Sequence, residues 1–479
     1  MVMNSTSVKE DKNKARKKKG CFFIFSIVLT IIIIAFSILL FIRYDAWFSN
    51  IPEEPYQTPK KIERITLTPG MDFIKERVIS WRYDSIEHKS FVEYYKIDST
   101  KIELETSLIP ATSQSVETRA GHAYYYHANL SDLECGNRYT YRVISDNDTS
   151  SWRTFNVPFV NDTLRFLYVG DVQDPKGDES DSLFMILRQK LLKFDFIAFA
   201  GDQIERPMDK YWNVWYKSLS DWAGTIPLVN VAGNHEYIKG LNKTLDERWV
   251  AQHNYPQNGP ADFKGKSYYV DFPLMRIIVI DSNVIQWPDA VLQHRNWLEE
   301  TLKDATQPWK VVMFHHGVYS VREGRMNVMM RYLFLPVLND NGADLVLQGH
   351  DHAYSRITTK ADGDTIPPVF VISSASPKFY RNGFDPIHDR LGSGLALYQS
   401  IEVTKENLEF KSYLFDGTLY DDLTIQIGKD GKKNIIDRAR NLDEIFKFDG
   451  FGDSKKGRAK RDKYLEAVRE WESRKNKNN

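Results

Sequence analysis

Polar and apolar positions follow two different periods along this chain, after an opening segment that follows neither. Residues 21–42 run without charge until Ile42. A helix of that length is about 33 Å long and matches a hydrocarbon core of about 30 Å. From Ile62 to about Pro158, short stretches at 62–67, 77–83, 90–96, 124–128, 138–145 and 151–155 alternate polar and apolar residues between turn residues. With no helical stretch among them they predict an antiparallel β-sandwich. Beyond Pro158 the pattern changes. Apolar runs of strand length at 164–169, 194–200, 226–231, 310–314, 345–348 and 369–372 alternate with helical stretches at 183–192, 209–219 and 288–305. This predicts an α/β domain with a mainly parallel sheet buried on both faces. Residues 267–271 and 276–281 read as a hairpin, and 395–403 with 408–414 as antiparallel strands closing the sheet.

Composition changes this picture little. The 479 residues are 42% hydrophobic and 27% charged, ordinary values for a globular chain of two or three domains. Lys plus Arg and Asp plus Glu both number 64, so no global field argues for nucleic acid as a partner. Local charge is more telling. Lys9, Lys12, Lys14, Arg16, Lys17, Lys18 and Lys19 precede the apolar run, and Tyr44, Trp47 and Phe48 follow it. That predicts a single-pass anchor with the N-terminus cytoplasmic and the rest extracytoplasmic. A cleaved signal peptide is the competing reading, but the run exceeds the usual h-region and no small-x-small site follows. Cys21 at the membrane boundary and Cys135 beyond it cannot form an intramolecular disulfide. Asn129, Asn147, Asn161 and Asn242 begin N-x-Ser/Thr triplets.

The expected organisation is a basic tail at 1–20, the anchor at 21–42, a stalk at 43–61, the sandwich at 62–158, the α/β domain at 159–428 and a charged helical tail at 429–479. In the tail, Ile435, Ala439, Leu442 and Phe446, and then Tyr464, Val468 and Trp471, keep helical spacing and predict two amphipathic helices.

Chemistry collects at the strand ends. In order they read Gly170-Asp171-Val172-Gln173-Asp174, Gly201-Asp202-Gln203-Ile204-Glu205, Gly233-Asn234-His235-Glu236, His315-His316 and Gly349-His350-Asp351-His352. Parallel topology brings such ends to one edge, where α/β sheets keep their ligands. Five of the eleven histidines lie there. Mixed Asp, Asn and His donors suit Zn, Mn, Fe or Co, and they outnumber what one ion takes. Two divalent ions bridged by a shared carboxylate fit better.

The order GD, GD, GNHE, HH and GHDH resembles the calcineurin-like metallophosphoesterase superfamily, and the preceding sandwich resembles the purple acid phosphatase branch. Trp81 and the set Leu133, Tyr139 and Tyr141 are similar to the buried Trp and tyrosine corner of fibronectin type III domains. The resemblance implies a four-layer αββα catalytic sandwich behind a fibronectin type III-like domain. It also implies that Asp202 bridges two ions, Asp171 and His352 hold the first, and Asn234, His315 and His350 hold the second. His235 then stands just outside, to bind phosphate or protonate the leaving oxygen, Asn234 also meets the substrate, and His316 is placed either to touch substrate or to pack behind a ligand. In-line displacement at phosphorus needs a hydroxide at neutral pH and neutralised non-bridging oxygens, which two ions supply.

Two positions depart from the family. Purple acid phosphatases carry a tyrosine three residues after the bridging aspartate, where this chain has Glu205, and a glycine where it has Gln173. Glu205, Asp174 or Gln173 is then expected to complete the first ion's shell, giving a divalent, colourless centre. The expected function is hydrolysis of phosphate monoesters by a membrane-anchored ectoenzyme. A phosphodiesterase on the same centre and a non-catalytic binding protein are the alternatives.

Overall fold

The computed structural model describes residues 5–98, 105–160, 163–190, 193–358 and 368–478; Asn161 lies outside them. The chain forms two compact units, one of residues 1–52 with 238–244 and one of everything else. The first is dominated by the helix Ser5–Trp47, whose Phe22–Asp45 segment has mean hydropathy 3.1 and is long and apolar enough to cross a membrane.

In the second unit, residues 62–157 form the expected sandwich. One sheet runs Glu63–Pro69, Arg77–Arg82, His122–Leu130, Thr112–Glu117, and the other is built on Ser90–Lys96 and Arg138–Ser145. Trp81 is buried between them, stacks on Tyr126 at 5.7 Å and donates from Nε1 to Ser145 Oγ at 2.9 Å. The Glu134 N–H donates to Tyr139 Oη at 2.9 Å, which makes the expected tyrosine corner. The strands Ser107–Pro110 and Thr112–Glu117 escape the pattern because their side chains are almost all solvent-facing.

A buried ionic network joins this sandwich to the next domain. Arg64 and Arg82 both donate to Asp209 at the start of the helix Asp209–Leu219, and Arg248 is held between Glu53 and Asp246. Full burial makes each charge depend on its partners.

The α/β domain holds two seven-stranded sheets where pattern alone implies one. The first runs Leu228–Asn230, Phe196–Phe199, Leu164–Val169, Leu397–Val403, Asn407–Leu414, Leu419–Ile427, Lys433–Asp437. The second runs Tyr268–Asp271, Met275–Ile280, Trp309–Phe314, Leu345–Gln348, Val369–Ile372, Tyr354–Thr358, Arg390–Gly392. Ile277 and Val279 pack against the first sheet, whereas Ile278 and Ile280 face the helices Pro288–Asp304 and Val328–Asp340. The helices Asp178–Gln189 and Asp209–Leu219 cover the far face of the first sheet through Leu183, Phe184, Leu187, Trp212 and Trp215. The result is the expected αββα layering. The closing strands take their predicted place, with Leu397–Val403 antiparallel to Leu164–Val169.

The tail departs from expectation. Residues 433–437 are an edge strand paired with Leu419–Ile427, and Ile435 sits opposite Ile425. Arg356 Nη2 donates to Asp437 Oδ2 at 2.9 Å, so tertiary pairing overrides the helical spacing there. The second predicted helix forms as Lys455–Asn478 and packs on the body. Tyr464 Oη donates to Asn382 Oδ1 at 2.7 Å, and Trp471 Nε1 to Glu444 Oε2 at 2.7 Å.

Candidate metal centre

The parallel strands of both sheets end at one place. Leu164–Val169, Phe196–Phe199 and Leu228–Asn230 are mutually parallel, as are Met275–Ile280, Trp309–Phe314, Leu345–Gln348 and Val369–Ile372. Each chain reversal after a strand must be abrupt to aim its side chain back over the sheet edge. Asp171, Asp202, His350 and His352 all adopt left-handed backbone, with φ of 33°, 50°, 73° and 45°. Such strain in non-glycine residues concentrates at functional sites. Gly201, at φ 92°, is crowded as well: a Cβ there would stand 2.6 Å from His315 Nδ1, and one on Gly349 would stand 2.6 Å from Asp171 Oδ2.

Donor atoms converge around His315. Its Nδ1 is committed to the Ala200 carbonyl at 2.8 Å, which leaves Nε2 with its lone pair facing inward. That Nε2 lies 3.0 Å from His350 Nδ1, 3.1 Å from Asn234 Oδ1 and 3.3 Å from Asp202 Oδ2. Four donors about 2.1 Å from a common ion stand about 3.4 Å apart in a tetrahedron, so this spacing suits a cation. A second group joins Asp171, Asp202 and His352, whose ligand atoms lie within 4.8 Å of one another. His352 Nδ1 is tied to the Lys378 carbonyl at 2.8 Å, which frees Nε2. Asp171 Oδ2 accepts from the His350 N–H at 2.6 Å, but its buried Oδ1 has no hydrogen-bond partner. A fully buried carboxylate oxygen without a donor is a demand for a cation, and the donor set meets it.

Electrostatics show that the two buried carboxylates draw positive charge to His315, the position a cation would share, while His350 and His352 are held neutral. Burial works against a charged His315, but Asp202 and Asp171 outweigh it and push the imidazole up to about 10. Burial raises both carboxyls; Asp171 stays well above its usual range, while His315 and His235 hold Asp202 below its own. Burial keeps His350 and His352 far below the usual imidazole range, His352 down to about 3. Neutral imidazole is the form that binds metal.

The remaining predicted residues divide. His235 Nδ1 meets the Glu205 carbonyl at 2.5 Å, leaving Nε2 3.9 Å from Asp202 Oδ2 at the edge of the cluster. His316 joins His315 and His350 in one group and pairs Nδ1 with Ser282 Oγ at 2.9 Å. Gln173 is fully buried with Oε1 unpartnered, and its Nε2 lies 3.5 Å from Glu205 Oε2. Glu205 stands outside both donor groups. Asp174 is already occupied, accepting from the backbone of Lys176, Glu179 and Ser180 to cap a helix.

Sequence reasoning passed over Glu236. It is fully buried, and Oε1 accepts from the N–H groups of Gln203 and Ile204 while Oε2 accepts from those of Asp202 and Gly233. One carboxylate therefore clasps two donor loops. Burial and neighbouring Asp202 push its carboxyl up, against the N–H donors, which favour the charged form. Its only signal in the sequence is its place two residues after Asn234.

Residues 164–354 match the calcineurin-like phosphoesterase family and residues 62–157 the purple acid phosphatase N-terminal domain, together more than half of the chain. The chain thus carries a calcineurin-like metallophosphoesterase domain behind a purple acid phosphatase N-terminal domain and is a hydrolase. Its relatives within that class include purple acid phosphatases. Purple acid phosphatase 3 of Arabidopsis thaliana is 25% identical, over 51% of this chain and 73% of that protein. Purple acid phosphatase 1 of Ipomoea batatas is 22% identical, over 65% of this chain and 67% of that protein. The solved structure of the purple acid phosphatase PPD1 from yellow lupin, Lupinus luteus, shares the fold at TM-score 0.62 and 17% identity, covering 77% of this chain and 75% of that one.

Proposed function

We propose that the protein is a membrane-anchored phosphate monoesterase that works on two divalent ions. The observation that carries this reading is the convergence of Asp202, Asn234 and His350 on His315 Nε2 at 3.0–3.3 Å, with Asp202 shared by the group that includes Asp171 and His352. Asp171, Asp202 and His352, with the unpartnered Gln173 Oε1, would hold one ion, and Asp202, Asn234, His315 and His350 would hold the other. When bound, such ions lower the pKa of water and offset charge on the phosphoryl oxygens.

The chain's own groups do the rest. His235 keeps its Nδ1 proton on the Glu205 carbonyl, so its Nε2 is the position that carries a proton to the leaving oxygen. His316, fixed through Nδ1 to Ser282 Oγ, offers Nε2 to a non-bridging phosphoryl oxygen. Glu205 in the place of the family's tyrosine favours a centre without tyrosinate colour, and the Phe22–Asp45 segment supports anchoring.

The test is turnover of paired aryl phosphate mono- and diesters by the full chain in detergent, loaded with Mn or Zn. The monoester is expected to turn over faster, Asp202→Asn to abolish activity, and the visible spectrum to lack a tyrosinate-to-iron band. Unchanged turnover by Asp202→Asn, or a purple active protein, rules the reading out.

A further inference from the structure

One segment, residues 375–384, touches first the Asp171 loop and then the His352 loop. The Ala375 N–H donates to the Gly170 carbonyl at 2.8 Å, and Ser376 Oγ to the Gln173 carbonyl at 2.9 Å. Two residues further on, the Lys378 carbonyl accepts from His352 Nδ1 at 2.8 Å. The Tyr380 N–H donates back to the His352 carbonyl at 3.2 Å, and its ring meets the imidazole edge to face at 4.8 Å. His352 is thus gripped at ring and backbone by one segment, in a left-handed conformation that a non-glycine residue keeps only where its surroundings impose it.

The far end of that segment is fixed by the C-terminal helix Lys455–Asn478. Asn382 is buried; its Oδ1 accepts from Tyr464 Oη at 2.7 Å and its Nδ2 donates to the Gly383 carbonyl at 2.9 Å. The same Tyr464 hydroxyl accepts from Ser393 Oγ at 2.6 Å, so both of its hydrogen-bonding roles are taken. Phe384 stands 5.6 Å from the Tyr464 ring and 6.1 Å from that of Trp471. Trp471 also belongs to the buried cluster that contains Ala353, the residue after His352. The His315 ring is fixed independently, on the Ala200 carbonyl.

We propose that Tyr464, acting through Asn382, is a positioning residue for His352, and that the C-terminal helix is the brace that keeps one of the two ion positions formed. The inference rests on the two-ion reading for what His352 would hold, and adds which distant part of the chain holds His352. Partners behind a ligating imidazole fix its orientation, and losing one costs about ten- to a hundredfold in metal affinity. The loss falls on the position of Asp171, Asp202 and His352 and spares that of His315.

The experiment uses the full chain in detergent and compares wild type with Tyr464→Phe, which keeps the ring but not the hydroxyl. Leu465→Ala, at a neighbouring position of the same helix that is 45% exposed, is the control. Metal-free protein is read by amide hydrogen exchange at a temperature where circular dichroism shows every variant folded, and Mn uptake is then titrated by electron paramagnetic resonance. Tyr464→Phe is expected to speed exchange about tenfold in peptides covering residues 349–356 and 376–384, with residues 310–318 at the wild-type rate. It should also weaken one Mn position about tenfold, so that at limiting Mn the spectrum of a coupled pair gives way to that of a single ion. Leu465→Ala should match wild type in both readouts. Unchanged exchange at 376–384, acceleration spread evenly over the α/β domain, undiminished Mn affinity at both positions, or the same effects from Leu465→Ala overturn the proposal. Selective acceleration by Tyr464→Phe in a chain whose wild type takes up only one Mn supports the brace and overturns the two-ion reading instead.

Discussion

Replacing Glu236 by glutamine exchanges one carboxylate oxygen for an NH2 group with almost no change of shape. The native carboxylate accepts four backbone N–H groups at 2.6–3.2 Å, two on each oxygen. The amide keeps one accepting oxygen, so two N–H groups face another donor in a site with no access to water. A buried donor left unpaired costs about 1–3 kcal/mol, so the substitution is expected to destabilise by roughly 4 kcal/mol. At about 2–4 °C per kcal/mol for a domain of this size, the melting temperature should fall by about 10 °C. The same loss releases the loops that hold Asp202 in left-handed backbone, so retained Mn should fall as well, although every proposed ligand is present. Thermal unfolding by circular dichroism and metal content by mass spectrometry read the two effects. A melting temperature within experimental scatter of wild type, with full metal content, refutes the idea that this carboxylate clasps the two loops.

Three further outcomes follow from the packing. Asp209→Ala leaves Arg64 and Arg82 buried without their shared carboxylate, at a cost of about 3–5 kcal/mol, and calorimetry should show the sandwich melting separately; one transition at the wild-type temperature contradicts this. Burial holds His127 down to about 4, below the ordinary imidazole value, so the unfolded chain binds a proton that the folded chain refuses as pH falls from about 6.5 towards 4. Stability is therefore lost on acidification, by about 2 kcal/mol at pH 5 relative to pH 7, and His127→Gln should remove that increment in urea titrations. Trp471→Ala strips the Lys455–Asn478 helix of its Phe384 and Glu444 contacts, worth about 3–5 kcal/mol, and trypsin should then cut within the helix first; unaltered cleavage shows that the helix is held elsewhere.

How much of this was readable beforehand differs by element. The residues that converge there were legible because each lies just past an apolar run, with a glycine directly before Asp171, Asp202, Asn234 and His350, a local signature of a buried strand ending in a sharp turn. The edge strand at residues 433–437 was not, because its helical spacing of Ile435, Ala439 and Leu442 is local whereas its pairing with Ile425 is not. Glu236 was visible as a letter in a motif, but three of the four N–H groups that define its role come from Asp202, Gln203 and Ile204, in a loop distant from it in the sequence.

The chain's own pattern thus determined the sandwich, the alternation of strands and helices, the apolar N-terminal helix and which polar residues stand at the strand ends, since each depends on neighbours within a few positions. Only the tertiary structure decided that the strands divide into two sheets, that Asp174 is used up in a helix cap and that Glu205 stands outside both donor groups. Those facts depend on distances between segments far apart in the chain, and spacing along a sequence carries no record of which distant backbone will supply a hydrogen bond or which distant charge will stand opposite.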